Sequence, residues 1–204
     1  MTPEQREQLE AELKQLCQND EVDAAATLAI RKYGPELVGY LMAVSRNEDT
    51  AGEVFSMFSE DLWKGLGNFR WESSFRTWAY TLTRHALHRF HRTPARKRER
   101  LAFSQSPEVQ HLVNQVRTTT LVYLRTEVKD SVAALREQLE PEEQTLLILR
   151  IDRKMSWREI ATVMNDEADA DDSTIKREAA SLRKRFERLK NTLRELATEQ
   201  GIIT

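Results

Sequence analysis

The clearest hydrophobic pattern in the chain lies in residues 156–196, where apolar residues recur at helical spacing in two consecutive segments. Ser156 and Glu159 form a capping-box pattern, which predicts that a short helix starts there. After an acidic turn, the second segment repeats apolar residues at alternating steps of four and three. These residues are Ile175, Ala179, Leu182, Phe186, Leu189, Leu193 and Leu196.

Basic residues fill the positions between the apolar ones in this second segment. They are Lys176, Arg177, Arg183, Lys184, Arg185, Arg188 and Lys190. A short helix, a turn and a longer basic helix are typical of a helix-turn-helix, whose second helix lies in the major groove of DNA. Two amphipathic helices joined by a polar turn also occur in many proteins that bind no DNA, so this segment does not decide the function alone.

The rest of the chain shows helical periodicity in shorter segments. The pattern predicts helices over residues 3–18, 24–33, 36–46 and 50–66, and a further helix from Phe75 that ends at Pro94. Residues 95–119 are first basic and then polar, with weak periodicity, which is typical of a linker. Helical pattern returns from residue 120. The sequence therefore predicts an all-α fold of two small helical domains, residues 1–94 and 120–204, joined by this linker.

Composition supports a helical globular protein and indicates its compartment. Of 204 residues, 31% are charged and 40% hydrophobic, and six Gly and five Pro are too few for a chain rich in β-turns. No apolar run approaches the roughly 20 residues of a membrane span, and the N-terminus does not resemble a signal peptide. The single Cys17 excludes an internal disulfide. We therefore predict a cytoplasmic protein without membrane insertion.

The net charge of −2 hides an asymmetry along the chain. Residues 84–100 and 176–190 are strongly basic, whereas residues 48–61 and 166–172 are acidic. Such separation indicates two kinds of partner, a polyanion and a basic surface. Complementarity within the molecule is the alternative explanation.

The sequence contains no constellation that would make it an enzyme. It has neither a glycine-rich phosphate loop nor a nucleophile elbow. His85, His88 and His91 are spaced in threes, but the surrounding positive charge opposes a bound cation. We therefore predict that the chain has no catalytic activity, no cofactor and no metal.

Aromatic and basic residues alternate over residues 69–92, a pattern suited to single-stranded DNA. Aromatic side chains can stack on unpaired bases, at about 1–3 kcal/mol for each base, and arginines contact phosphates. Phe75 and Trp78 lie on an apolar stripe, so we expect them in the core. Phe69, Arg70 and Trp71 lie on a predicted loop, where exposure is expected.

At this point the chain resembles a known family, the extracytoplasmic-function sigma factors of bacterial RNA polymerase. In the first part the resemblance rests on an acidic helix ending in Leu62-Trp63, on Phe69, and on the run SFRTWAYTLTRHALHRFHR. In the second part it rests on LEPEEQTLLILR, SWREIA and STIKRE. The order and spacing of these motifs are more specific than any one of them.

The resemblance implies a function for each part of the chain. The first domain would bind the clamp helices of the largest subunit of core RNA polymerase and open promoter DNA at the minus-ten element. The second would read the minus-thirty-five element, and the linker would run toward the active-site channel. The implied polymerase contacts are Glu53, Ser56, Met57, Glu60, Asp61 and Trp63. The implied minus-ten contacts are Phe69, Arg70, Trp71, Arg84, His85, His88, Arg89 and Arg92. The implied minus-thirty-five contacts are Ser173, Thr174, Lys176, Arg177, Arg183 and Lys184.

The chain departs from the family pattern at three places. His85 and Arg89 stand where the family usually has Asn and Asp, and the acidic turn is about four residues longer than usual, with Asp172 or Ser173 expected to cap the next helix. Gly52, Ser56 and Met57 stand where acids or Gln are typical.

The third departure suggests regulation by a Ser/Thr kinase. A phosphate on Thr50, Ser56 or Ser59 would add about −1.5 to −2 charge and restore the acidic character. The alternative is that the acidic residues already present are sufficient.

Two other classes of protein fit parts of the sequence. One is a stand-alone helix-turn-helix regulator that dimerises through the Leu182–Leu196 seam. The other is a helical interaction protein without a nucleic-acid partner. A sigma factor of this family is also expected to meet an anti-sigma partner, but no residue of the sequence identifies one.

Overall fold

The computed structural model describes residues 1–93, 107–126, 135–136, 138–165 and 170–200. The acidic residues of the turn at 166–169, Pro94 and the first part of the predicted linker lie outside this range. The regular elements of the described residues are all helical, which confirms the all-α prediction. The chain divides into two compact units, residues 1–125 and 126–204.

The described residues of the first unit form five α-helices. They are α1 (Pro3–Gln18), α2 (Val22–Ser45), α3 (Glu48–Gly65), α4 (Phe75–Arg92) and α5 (Pro107–Thr126). Its core forms where α2, α3 and α4 pack together, and large aromatic side chains fill it. The fully buried ones are Tyr33, Tyr40, Phe55, Phe58, Phe75 and Tyr80.

Helix α2 is continuous where the sequence predicted two helices. The Gly34-Pro35 pair was expected to end the first of them, but α2 runs from Val22 to Ser45 with Pro35 inside it. A proline within a helix costs about 3 kcal/mol. Apolar residues on both sides of the pair, such as Tyr33 and Leu37, are fully buried, and this burial outweighs that cost.

A buried ion pair joins α2 to α4. The Arg76 side chain is only 4% exposed, and its guanidinium donates to the Glu36 carboxylate, with 2.8 Å between Arg76 Nε and Glu36 Oε1. The Tyr80 hydroxyl donates to the same carboxylate oxygen at 3.0 Å. The ion pair and the hydrogen bond therefore fix the register of the two helices.

Helix α1 holds the N-terminus of α4 through one carboxylate. The Glu10 oxygens accept from the backbone N–H groups of Phe75 at 3.0 Å and Arg76 at 3.1 Å, and from the Tyr33 hydroxyl at 3.2 Å. These N–H groups have no partner within their own helix, and the positive end of the helix dipole favours an anion there. Burial, and then the nearby Glu10 carboxylate, raises the pKa of Tyr33.

We therefore expect Glu10→Ala to lower the free energy of unfolding of the first unit by about 2–3 kcal/mol, because it removes all three hydrogen bonds that the Glu10 carboxylate accepts. Urea denaturation followed by circular dichroism measures this change. Glu12→Ala, at an exposed position of the same helix, is the control and should change stability by less than about 0.5 kcal/mol. Equal effects of the two substitutions would contradict a structural role for the Glu10 carboxylate.

The second half of the predicted linker is helical. Helix α5 begins at Pro107, inside the region 95–119 that was expected to be a linker, and it belongs to the first unit up to residue 125. Leu112 and Val113 are buried, and the Thr120 hydroxyl donates to the Val116 carbonyl at 2.8 Å. The apolar stripe is short and lies among polar residues, so periodicity alone did not reveal the helix.

The second unit contains α6 (Pro141–Leu147), a π-helical turn (Ile148–Asp152), α7 (Trp157–Met164) and α8 (Asp172–Glu199). The predicted capping box is present, because the Ser156 hydroxyl accepts from Glu159 N and Glu159 accepts from Ser156 N. The Trp157 ring packs edge-on against Phe186 at 5.4 Å between centroids. Helices α7 and α8, which the sequence predicted as the two helices of a helix-turn-helix, thus contact each other through these rings.

Candidate nucleic-acid interface

An aromatic cluster occupies the loop before α4. The rings of Phe69 and Trp78 stack with 4.5 Å between centroids, and Trp71 lies 4.8 Å from Phe69. All three side chains are half-buried, so Phe69 and Trp71 are less exposed and Trp78 is less enclosed than the sequence predicted, whereas Phe75 is buried as expected. Arg70 is exposed and pairs with Glu72 at 3.3 Å.

Trp71 has an unusual backbone conformation for a large residue. Its φ is 58°, in the left-handed region that bulky side chains rarely adopt. The ammonium group of Lys14 on α1 lies 6.0 Å from the centre of its ring. The Trp71 ring therefore contacts both Phe69 and Lys14, and its side chain remains half-exposed.

The basic side of α4 differs from the prediction at one residue. Arg84 was expected to contact DNA, but it is only 4% exposed. Its position follows Tyr80 by one turn and precedes Leu87, and all three side chains are on the buried side of the helix. His85 and His88 are half-buried, whereas Arg89 and Arg92 are exposed at the C-terminal end of α4.

The outer face of α3 is acidic and partly accessible. Glu53 is exposed, and the remaining members of the predicted polymerase-binding set are half-buried. These members are Ser56, Met57, Glu60, Asp61 and Trp63. The Asp61 carboxylate accepts from the Arg89 guanidinium of α4 at 2.7 Å, so an ion pair connects the two predicted binding faces.

The three hydroxyl groups considered for phosphorylation differ in accessibility. Ser59 is fully buried and donates to the Phe55 carbonyl at 2.8 Å, so it is not an accessible target in the folded chain. Ser56 is half-buried and donates to the Gly52 carbonyl at 3.0 Å. Thr50 is half-buried in the first turn of α3. Only Thr50 and Ser56 therefore keep the exposure that a kinase requires.

The N-terminal half of α8 carries the predicted duplex-reading residues. The exposed ones are Ser173, Lys176, Arg177, Arg183 and Lys184, and Thr174 is half-buried. The sequence predicted Asp172 or Ser173 as the helix cap, but the cap is Asp171, whose carboxylate accepts from Thr174 N at 2.8 Å. Hydrogen bonds from Thr174, and then from Ser173, lower the pKa of Asp171.

Asp172 connects the two helices of the motif through charge. Its carboxylate lies 2.6 Å from Arg158 Nη2 of α7 and 2.7 Å from Lys176 Nζ of α8. Hydrogen bonds from Lys176, and then from Arg158, lower the pKa of Asp172. The Asp172 carboxylate therefore neutralises part of the positive charge of Arg158 and Lys176 on the predicted DNA-binding surface.

The described ranges contain neither a cluster of metal ligands nor a membrane-spanning helix. No three potential ligands among their His, Cys, Asp and Glu residues come together as a metal site. No helix there is both long enough and apolar enough to cross a membrane.

Comparison with known proteins shows what the chain is similar to. Residues 29–98 match Sigma-70 region 2. The chain is 27% identical over 157 residues to RNA polymerase sigma factor YlaC of Bacillus subtilis (strain 168), which covers 76% of this chain and 87% of that protein. It is 28% identical over 145 residues to the RNA polymerase sigma-H factor of Pseudomonas aeruginosa, covering 69% of this chain and 75% of the relative. No solved structure matches the chain. The match to region 2 and the similarity to these two relatives support an RNA polymerase sigma factor.

Proposed function

We propose that the chain binds core RNA polymerase through α3, recognises promoter DNA and initiates transcription as a sigma factor of the extracytoplasmic-function type. The strongest support for this proposal is a combination of three features in the first unit. It combines the region 2 match, an acidic face on α3 and an aromatic loop that leads into a basic helix. The polymerase carries out the chemistry, so the chain itself is not an enzyme.

For the minus-ten element, we propose contacts from the aromatic loop and the exposed end of α4. Trp71 is the strongest candidate for stacking on an unpaired base, because its large ring lies on the loop before α4 and is half-accessible. Arg70, Arg89 and Arg92 are exposed and suit phosphate contacts. His85, His88 and Phe69 would line the same face, and Arg84 supports the helix from inside.

For the minus-thirty-five element, we propose that the first half of α8 enters the major groove. Thr174, Lys176 and Arg177 lie in its first two turns, and Arg183 and Lys184 follow. Ser173 lies at the helix N-terminus, where its N–H suits a backbone phosphate. The dimeric regulator is not favoured, because Leu182 and Leu189 of its supposed dimer seam are buried within the second unit.

Asp172→Asn should strengthen binding of the holoenzyme to a minus-thirty-five duplex by about three- to tenfold, because it frees Lys176 and Arg158 for phosphates. The gain should shrink between about 50 and 200 mM salt. Fluorescence anisotropy with a labelled promoter measures both quantities. Glu195→Gln, at an exposed position near the other end of α8, is the control for charge. A gain of the same size in that control would assign the effect to net charge alone.

The proposed function is tested by co-elution of the purified chain with bacterial core polymerase, followed by transcription from a promoter library. A complex that starts transcription at defined sites would establish the sigma activity. Binding of a duplex by the free chain as a dimer, without any polymerase complex, would establish the stand-alone regulator instead.

We also propose that a Ser/Thr kinase or an anti-sigma factor controls the chain in the cytoplasm. The accessible candidates for phosphorylation are Thr50 and Ser56. Glutamate at either position should raise polymerase affinity by about three- to tenfold, because it adds negative charge to the α3 face. Titration of labelled polymerase measures the change, and Ser59→Glu should instead destabilise the core, since that hydroxyl is buried. Unchanged polymerase affinity of both the Thr50→Glu and the Ser56→Glu chain would contradict the kinase hypothesis.

A further inference from the structure

Two glycines of the first unit permit helix α5 to approach α2 and α3 closely. A Cβ atom at Gly34 would lie 2.6 Å from Val116 Cγ1, and one at Gly52 would lie 2.7 Å from Arg117 Cδ and 2.9 Å from Arg117 Nη1. Separations under 3.0 Å essentially never occur for real Cβ atoms. The observed position of α5 therefore depends on the absence of a side chain at both places.

The α3 glycine lies at the edge of the face that we propose for polymerase binding. Ser56 follows Gly52 by one helical turn and donates to its carbonyl, and Glu53 is the next residue of the chain. Arg117 extends over Gly52, with its Nη1 atom 2.9 Å from where a Gly52 Cβ would lie. A cation of the chain itself therefore borders the acidic face that we propose for a basic partner.

The packing of α5 on α2 is incomplete. A groove of about 390 Å³, open to solvent, lies between the two helices. Its lining residues are Arg31, Pro35, Leu112, Gln115, Val116, Thr119 and Thr120. The surfaces that line this groove face solvent instead of packing against protein atoms. The contact is therefore weaker than the core of the unit, and such weakly held elements open before the rest of a protein does.

From these observations we propose that α5 competes internally with core polymerase for the α3 face. In the closed state Val116 and Arg117 cover the edge of that face around Gly34 and Gly52, and polymerase binds after α5 has moved away. The apparent dissociation constant is then the intrinsic one divided by the fraction of open molecules. This inference rests on the proposed function, and it adds a regulatory element to the same binding site.

The first test weakens the closed state. Val116→Asp places a charge against the Gly34 surface, and Arg117→Ala removes the group over Gly52. Both should raise affinity for core polymerase by about tenfold, as expected if about one molecule in ten is open in the wild type. Thr118→Asp is the matched control, because it adds the same charge at an exposed position of the same helix and should leave affinity unchanged.

The second test locks the closed state. Val116 Cγ1 lies 2.6 Å from where a Gly34 Cβ would be, so a disulfide that replaces this contact by covalent bonds can join the two positions. Gly34→Cys with Val116→Cys is therefore oxidised in a Cys17→Ser background. The oxidised chain should bind polymerase at least tenfold more weakly than the same chain after reduction. A Cβ at Gly34 would also lie 3.1 Å from Phe55 Cζ, so the cysteine at this position disturbs the packing of the variant. Hydrogen exchange of α5 in the wild-type chain avoids this disturbance and gives a second measurement. Adding polymerase should reduce the protection of α5.

These outcomes separate the inference from the proposed function. Equal affinity of the oxidised and reduced chains, with α5 protection retained in the complex, would overturn the internal competition while the sigma activity stood. Polymerase binding by the Val116→Asp chain but not by the wild-type chain would support internal competition by α5. Failure of the wild type, both release variants and the reduced chain to bind polymerase would overturn both proposals.

Discussion

Replacing Glu36 by alanine is expected to lower the free energy of unfolding of the first unit by about 3–5 kcal/mol. The substitution removes the carboxylate that receives the Arg76 guanidinium and the Tyr80 hydroxyl, while the arginine side chain stays almost fully buried. Burying a cation without its counter-charge costs far more than the loss of an exposed pair. The loss is a large part of the stability of an ordinary domain, which is about 5–15 kcal/mol.

Chemical denaturation of the Glu36→Ala chain measures this change, with Glu36→Gln as an intermediate that keeps an acceptor oxygen. The first unit also offers a matched exposed pair, Arg70–Glu72, whose side chains are 68% and 69% exposed. Glu72→Ala should cost less than about 1 kcal/mol. A similar loss for the two alanine variants would show that burial does not set the strength of the α2–α4 ion pair.

Charge reversal at Glu53 is expected to weaken binding of core polymerase by about 100-fold. Glu53 is exposed on the acidic face of α3, and lysine there would replace an attraction to a basic partner by a repulsion, which costs several kcal/mol at an interface. Asp61 is a less informative position, because its carboxylate already pairs with Arg89 and reversal would disturb α4 as well.

Titration of labelled core polymerase at two salt concentrations measures the Glu53→Lys effect. Glu12→Lys changes the net charge equally at an exposed position of α1 and is the control. The two variants should have the same circular dichroism spectrum and the same melting temperature. If Glu12→Lys weakened polymerase binding as much as Glu53→Lys, the loss would come from overall charge. The proposal that α3 binds the polymerase would then be contradicted.

The features that could be predicted from the sequence are mainly local ones. The capping box of Ser156 and Glu159 lies within four residues, so its residue types specify the start of α7 directly. The cap of α8 was misplaced by one residue, because Asp171, Asp172 and Ser173 all suit that position. Only the backbone geometry selects Asp171 among them.

The features that could not be predicted depend on contacts between distant residues. Proline in α2 indicated a helix end, but burial of its neighbours in a core made by three helices kept the helix continuous. Arg84 was predicted to contact DNA because it lies in the run of aromatic and basic residues that resembles the family, whereas in the structure its side chain is buried. The role of Glu10 had no sequence signal, since the residues that it contacts come much later in the chain.

The contact between Glu10 and the start of α4 also affects the order of folding. The carboxylate joins residues separated by 65 and 66 positions in the sequence, so it closes a long loop. During synthesis α1 leaves the ribosome well before Phe75 and Arg76, and it cannot reach its final position until they have emerged. The contact of α1 with α4 is thus formed late, and long-range closure of this kind slows folding relative to helices that pair with their neighbours.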